Sequence, residues 1–573
     1  MGRRSKSSTP KPKSGPSRPK SGKRPKGKYP RLRATNAERP INKLPPELLL
    51  RIFILGDEEE RAKPARVSYY GFQDLVVRVC THWRNLAINS PTLWTYIYVS
   101  RELSHESAAL YLSRTTRTSL LDINLELMED FFDGDCDPDN WSSKIYLAKK
   151  TIDFLVENGA SISQWKSLIA RSGVPQVLYK ILEHIHPQSA PSLKFLSVQW
   201  LPRLDSFRAM QDETLSVAYS HMFDRVYHET GDRFPQLRHV QFKSIPADFL
   251  FRKPLPMLAG LTHLELTPAF NTITHSKLCA LLLANPRLQS LVIGYGFVNE
   301  PLAGESTNTR VALPELRSLS LSWRSSTAWA RGALNMIDAP GIESLTLACE
   351  ESEWEKVLEL IRQIAGDSDS PPAIADNQPL SRQHMCPSLR TLDISNLLPD
   401  DDCPDIPRKL FSILPGITRL SAGGIALAAL RGPPWLLPHL KHVDVSGEPP
   451  EDLGGILQCR IDGGFPVTSI GVEQQHFDSA TGDALPASLT LVRLPNPVEQ
   501  DYYEFEEELD DDGFDDFDGS DGFEPEFGYF GDDGLGHGWL SDDDMIGFPG
   551  FQPHYVYSDE ENYHGNDYDD YEW

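Results

Sequence analysis

Nowhere in the 573 residues does an apolar run approach the roughly 18 to 20 that a membrane helix needs. The opening MGRRSKSSTPKPK also lacks the apolar stretch of a secretory signal, so a location in cytoplasm or nucleus, away from membranes, is expected. Cysteine is scarce and scattered: Cys80, Cys136, Cys279, Cys349, Cys386, Cys403 and Cys459 are odd in number and form no C-x-x-C pair. That excludes a disulfide framework and fits reduced thiols. The nucleotide-binding, nucleophile-elbow and zinc-protease signatures are missing as well. Two weak metal patterns fail on inspection. DGDCDPDNWSSK alternates acids like a calcium loop but places Pro138 where glycine is required and Lys144 where glutamate is required. His184 and His186 have no further ligand at metal spacing. No catalytic residue, metal or cofactor is therefore expected.

Each end of the chain lacks charge of one sign. Residues 1–33 hold 13 Lys/Arg and no acid, whereas residues 501–573 hold 26 Asp/Glu and no Lys/Arg, so most of the net charge of −25 sits in the last segment. Residues 1–39 offer almost nothing to bury and are expected to be a disordered basic arm. Its GKRPKGKYPRLR reads as an import signal, a polyanion contact or a solubilising tail. Residues 496–573 are expected to be a disordered acidic tail. The 18 aromatics among its last 73 residues suggest short adhesive motifs or docking onto a basic partner. A flexible insertion is expected at about 365–385. The remaining acidic balance argues against a nucleic-acid partner.

Between these ends one pattern recurs ten times, P-x-L-x-x-L-x-L with conservative replacements, as in PSLKFLSV, PRLQSLVI, PELRSLSL and PSLRTLDI. Its first apolar residue falls at Leu193, Leu237, Leu261, Leu288, Leu316, Ile342, Leu389, Ile417, Leu440 and Val467. Successive intervals are 44, 24, 27, 28, 26, 47, 28, 23 and 27, and seven of the nine lie within one repeat period. The two long ones are near two periods. Each x-L-x-L alternates as a half-buried strand, and no single unit can bury its apolar face alone, so stacked units are expected to form a parallel sheet. The pattern resembles a leucine-rich repeat, without the Asn or Cys that usually satisfies the turn. Residues 191–495 are expected to form the solenoid and residues 101–190 its atypical first repeats or linking helices, with LLDINLEL a strand and SKIYLAKKTIDFLVENG a helix. The residues between the leucines, His239, Gln241, His263, Glu265, Ser318, Ser320, Thr391, Asp393, His442 and Asp444, are expected to line one sheet face and to be the substrate-binding candidates.

Residues 40–100 carry a second pattern. INKLPPELLLRIFILG has a Pro45-Pro46 helix start followed by Leu48, Leu49, Ile52, Phe53 and Leu55, an unusually wide apolar face. After the charged GDEEERAKPARVSYYG, one further helix is expected to carry Leu75, Val79, Trp83 and Leu86. SPTLW then gives a Ser-Pro start for a third. So much apolar surface on a small helical unit implies a partner groove. In LPPELLLRIF, VCTHWRNLA and SPTLW this segment resembles the F-box, and more closely the F-box-like proteins abundant in fungi.

The resemblance implies contact with a Skp-type adaptor, and through it a cullin, by Leu44, Pro45, Glu47, Leu48, Ile52, Phe53, Val79, Cys80, Trp83 and Leu93. It also implies a non-catalytic, substrate-recognition role in a ubiquitin ligase, for a target the sequence does not identify. The expected architecture is α/β: a small three-helix F-box followed by a leucine-rich-repeat-like solenoid, a curved parallel sheet with helical or irregular returns. The alternative is a non-catalytic scaffold or chaperone for basic proteins that acts through the acidic tail. Because 26 like charges resist collapse, deleting residues 501–573 is expected to leave the thermal unfolding midpoint of the repeats nearly unchanged. A large loss of cooperativity in the melt would show the segment to be part of the fold.

Overall fold

The computed structural model describes residues 38–62, 71–100, 105–128, 141–185, 188–201, 234–245, 258–268, 273–294, 309–323, 327–349, 357–358, 360–362, 386–397, 405–477, 485–486 and 488–494. The expected basic arm up to residue 37, the insertion near 365–385 and the acidic tail lie outside the described residues.

Among the described residues a 3-10 turn over Pro40–Lys43 comes first, followed by three helices, α1 (Pro46–Ala62), α2 (Phe72–Val79) and α3 (Thr81–Ile88). A 3-10 turn over Pro91–Trp94 then leads directly into strand β1 (Tyr96–Val99). Next come α4 (His105–Leu112), β2 (Leu121–Leu127), α5 (Trp141–Glu157), β3 (Trp165–Ser172), α6 (Pro175–Ile185) and β4 (Phe195–Trp200). The central units are β5 (His239–Lys243), β6 (His263–Thr267), α7 (His275–Leu283), β7 (Ser290–Ile293), β8 (Val311–Ala312), β9 (Ser318–Trp323), α8 (Thr327–Met336), β10 (Ile337–Asp338) and β11 (Ser344–Cys349). The series closes with β12 (Thr391–Asp393), α9 (Asp405–Ile413), β13 (Arg419–Gly423), α10 (Gly424–Ala428), β14 (His442–Ser446), α11 (Leu453–Asp462), β15 (Ser469–Glu473) and β16 (Thr490–Leu494).

Fourteen of these strands form one sheet in chain order, with β8 and β10 pairing separately. Every neighbouring pair in it is parallel, which requires each strand to be followed by a return to its starting edge. This is the leucine-rich-repeat-like solenoid expected from the repeats. All ten units named from the sequence supply a strand, and their ten first apolar residues are all buried in one continuous core. The two long intervals contain no further strand of this sheet, because β4 pairs directly with β5 and β11 directly with β12.

Two details differ from the expectations. The helix starting at Pro46 does not stop at Gly56 but runs on to Ala62. Gly56 is instead where the Phe72 ring of α2 approaches so closely that a Cβ would clash with it. The single second helix is two, because Cys80 is extended at φ −157° and ψ 170° and its Sγ caps α3 by accepting from Trp83 N–H at 3.5 Å. The sheet begins within the range expected for the helical unit, since β1 pairs with β2.

At several turns a buried side chain does the work of the repeat's usual turn residue. Asn285, fully buried, donates Nδ2 to Leu258 O at 2.6 Å and Leu281 O at 2.8 Å, while its Oδ1 accepts from Leu261 N–H at 2.8 Å. Indole N–H groups of Trp165, Trp200 and Trp329 reach the carbonyls of Ala160, Gly173 and Ile273, each at 3.0 Å. Near the carboxyl end the buried guanidinium of Arg460 donates to Leu436 O at 2.8 Å and to Leu437 O at 2.9 Å. Leu437 sits in the left-handed region at φ 48°, so Arg460 holds a turn that the backbone alone disfavours. Because Asn285→Ala would strand one N–H and two carbonyls in the core, it is expected to cost about 3 kcal/mol, read as a lower midpoint in urea unfolding. An unchanged midpoint would show that water enters and replaces the amide.

Candidate partner-binding surfaces

The helical unit presents apolar side chains on two faces of one helix. On α1, Leu49 and Phe53 are fully buried one turn apart, whereas Leu48, Ile52 and Leu55 are 54, 42 and 48% exposed. On α2, Val76 is buried while Leu75 and Val79 are 49 and 57% exposed, and Ile88 of α3 is also exposed. An ordinary surface helix has a polar outer face. These helices carry leucine, isoleucine and valine there instead, the signature of a surface that another chain covers.

Beneath that surface the packing is specific. The Phe53 ring lies 4.9 Å from that of Trp83 at 54°, and Trp83 Nε1 donates to Asn42 Oδ1 at 2.7 Å. Trp94, fully buried, donates Nε1 to Ala87 O at 2.8 Å, stands edge-on to Tyr111 at 5.1 Å and is covered by the Arg114 guanidinium at 4.0 Å. Tyr111 Oη in turn donates to Asp74 Oδ2 at 2.6 Å. Arg61, in the last turn of α1, pairs with Asp57, lies 4.4 Å over the Tyr96 ring and reaches Asp122 at 3.6 Å. Side chains of α1, β1 and β2 thus meet around a single guanidinium.

Of the ten nominated adaptor residues, Pro45, Glu47, Leu48, Ile52 and Val79 are exposed, and Leu44, Cys80 and Trp83 are half-buried. Phe53 and Leu93 depart from the expectation. They are 0 and 1% exposed and belong to the core, Phe53 beside the exposed Ile52 and Leu93 beside the equally buried Trp94. The nomination also missed Leu55, Leu75 and Ile88. Leu75 stands four residues before Val79, a spacing that places both on one helix face.

The second surface is the outward face of the sheet. The pairing register sets His239, His263, Ser318, Thr391 and His442 in one row, and Gln241, Glu265, Ser320, Asp393 and Asp444 in the row beside it. All ten substrate-binding candidates therefore share this face. At its amino end the His239 and His263 rings stack at 5.0 Å and 19°, with Phe195 edge-on to His239 at 4.7 Å. Burial holds the His239 imidazole below its usual pKa, and His263 adds to this against the opposing effect of Glu265. Glu265 itself pairs with Lys243 at 2.8 Å. The middle strands contribute Ser290, Ser318, Ser320, Ser344 and Thr346, all short hydroxyls. Toward the carboxyl end Arg419 pairs with Asp444 at 2.7 Å, and His442 Nδ1 lies 2.6 Å from Ser469 Oγ. Among the described residues no group of three or more His, Cys, Asp or Glu is placed to hold a metal ion, and no helix is long and apolar enough to cross a membrane.

Residues 41–100 match the family model described as F-box-like, so the helical unit is an F-box-like domain that runs on through β1. No curated protein matches the chain. Among solved structures, a crystal structure of a Bacteroides fragilis protein, a structural-genomics target, is 13% identical. It aligns over 61% of this chain and 82% of that one with a TM-score of 0.28, a likeness too low to support any argument.

The two apolar faces of α1 separate experimentally. Phe53→Ala is expected to cost roughly 3 to 5 kcal/mol of stability. Leu48→Ala is expected to stay within about 0.5 kcal/mol of the parent, so chemical denaturation of both variants checks the assignment of inner and outer faces. Equal losses would mean that Leu48 is covered by the chain itself.

Proposed function

We propose that the chain is the substrate-recognition subunit of a Skp-cullin-F-box ubiquitin ligase. The observation that carries this reading is the outer apolar face of Leu48, Ile52, Leu55, Leu75 and Val79 on a unit that matches the F-box-like family. F-box domains typically bind Skp-type adaptors, and an apolar face lying over an already complete core supplies the desolvated anchors such binding needs. In this reading Leu48, Ile52 and Val79 enter the adaptor, with Leu44, Pro45, Glu47, Cys80 and Trp83 around them. Phe53 and Leu93 act from beneath by holding the helices in place.

The target protein is held by the outward sheet face, where alternating rings, hydroxyls and ion pairs offer polar recognition on a rigid frame. Ubiquitin transfer then takes place on other subunits, and this chain contributes by raising the effective concentration of its target at the ligase. No residue of its own is assigned to catalysis.

The test is the double variant Leu48→Ala with Val79→Ala. If each side chain is an interface anchor worth about 2 kcal/mol, losing both weakens adaptor binding by at least about a hundredfold. The thermal melt should stay close to that of the parent, since neither side chain contributes to the core. Binding of purified adaptor, measured by calorimetry beside that melt, decides it. Undiminished binding by the folded variant, or none by the folded parent, removes the ligase assignment.

A further inference from the structure

A row of cations runs along the edge at which the strands enter the sheet. The residue before each strand donates its backbone N–H to the carbonyl of its counterpart in the preceding unit. Lys194 donates to Lys166 O at 2.8 Å, Arg238 to Lys194 O at 3.1 Å, Arg317 to Gln289 O at 2.9 Å, Arg390 to Glu343 O at 2.9 Å and Lys441 to Thr418 O at 2.8 Å. Thr262, Gln289, Glu343 and Thr418 complete the same unbroken series. Their side chains are thereby set in single file, about 4.8 Å apart from one strand to the next. Six of them are exposed cations: Lys166, Lys194, Arg238, Arg317, Arg390 and Lys441.

In a protein of net charge −25 this file is locally basic. It contains a single acid, Glu343, 3.7 Å from Arg317, and Asp122 lies 3.6 Å from Lys166. All three arginines also serve the fold, Arg238 Nη1 donating to Leu237 O at 2.7 Å, Arg317 Nη1 to Gly341 O at 3.0 Å and Arg390 Nη1 to Gly416 O at 3.5 Å. Lys194 and Lys441 have no such contact and no carboxylate partner among the described residues. Like charges held in a line, with nothing structural to gain at either lysine, are what a ligand of opposite charge would use.

We infer that this strand-entry edge binds an extended acidic polypeptide segment of a partner protein. The cations fall into two groups. Lys166, Lys194 and Arg238 are on consecutive strands. Arg317, Arg390 and Lys441 then take every second strand, beginning three strands further on. Three strand spacings are about 14 Å, or roughly four residues of extended chain. The matching ligand carries adjacent carboxylates opposite the first group, then about three uncharged residues, then carboxylates roughly three residues apart opposite the second.

A polynucleotide fits less well. The next row inward offers Ser167, Phe195, His239, Ser318 and Thr391 and one arginine, Arg419, already paired with Asp444, not the second rank of cations that a phosphate backbone engages. The protein's overall charge also repels an evenly charged polymer more than a short peptide. The edge lies outside the two outward-facing rows and involves no residue of the helical unit.

The experiment uses the full chain and the fluorescent peptide Glu-Glu-Glu-Gly-Ser-Gly-Glu-Gly-Ser-Glu-Gly-Ser-Glu, with binding read as anisotropy. The comparison protein is the double variant Lys194→Glu with Lys441→Glu. Both proteins keep the 13 Lys/Arg of residues 1–33, so the difference between them reports the edge alone. The variant is expected to bind about tenfold more weakly, the scale of two exposed attractions turned into two repulsions. The parent's affinity should fall as salt is raised from low to physiological strength.

A melt of each protein guards against misfolding. If the reversal variant melts early, Lys194→Gln with Lys441→Gln replaces it, with a loss of about threefold expected. Equal affinity of parent and folded variant overturns the assignment, as does a parent that does not bind the peptide. Tighter binding of a ten-residue oligothymidylate that the same substitutions weaken would assign the edge to nucleic acid instead. Adaptor binding, measured on the same samples, is expected to be unchanged by these substitutions, so the peptide result stands apart from the ligase reading.

Discussion

The described chain depends on one constraint: each unit owns a single short strand whose apolar side it cannot bury alone. The only way to cover Leu264 and Leu266 of β6 is to stack β5 and β7 beside them in register, and the same holds along the sheet. Parallel register places equivalent residues at the same level in every unit, so the core repeats leucine over leucine, as in Leu291, Leu319, Leu345, Leu392 and Leu420. It also explains why the long excursions before β5 and before β12 leave the sheet intact. Between strands a return of any length is compatible with pairing, and lengthening a loop adds only a slowly growing entropic cost.

The same constraint creates a problem at the amino end, where the first strand would expose its edge. The helical unit resolves it by being continuous with the sheet. Its final 3-10 turn places Leu93 and Trp94 in the core two residues before β1 begins, and Trp94 is held from three sides by Ala87, Tyr111 and Arg114. Arg61 closes the junction from the far end of α1. In the proposed reading, capping and partner binding therefore do not compete for the same side chains. Leu49 and Phe53 serve the cap, and the neighbouring Leu48 and Ile52 remain outside it.

Much of this was legible in the sequence because two periodicities are strong. The x-L-x-L alternation located the strands from β4 to β15, and the x positions identified their outward face, since a strand has only two faces. The helical unit was legible as a unit but not residue by residue. A run such as Leu48, Leu49, Ile52, Phe53, Leu55 is apolar on most of the helix circumference, so spacing alone cannot say which stripe faces inward. Phe53 was assigned outward for that reason. Cys80 was hidden for another: the sequence from Leu75 to Leu86 keeps helical spacing across it, and only its extended backbone separates α2 from α3. The substitutes for the absent turn asparagines were not legible at all, because Arg460 or Trp329 meets its carbonyl through a distant return rather than a local motif.

The outward sheet face and the strand-entry edge differ in how their charge is arranged. On the face, Lys243 meets Glu265 and Arg419 meets Asp444, each cation on the strand next to its acid's and diagonal to it. Partly exposed pairs of this kind contribute roughly 0 to 1 kcal/mol apiece, too little for stability to be their main consequence. What they do is fix direction: a carboxylate held by a neighbouring cation presents its remaining lone pairs at a set angle, and the pair as a whole adds almost no net field. In the proposed reading, discrimination on that face comes from local hydrogen-bond geometry, among hydroxyls and stacked imidazoles whose positions the sheet fixes. At the edge the cations are largely unopposed, their field adds along the row, and attraction there is longer in range and weaker in selectivity. A ligand engaging both would be drawn in by the edge and sorted by the face.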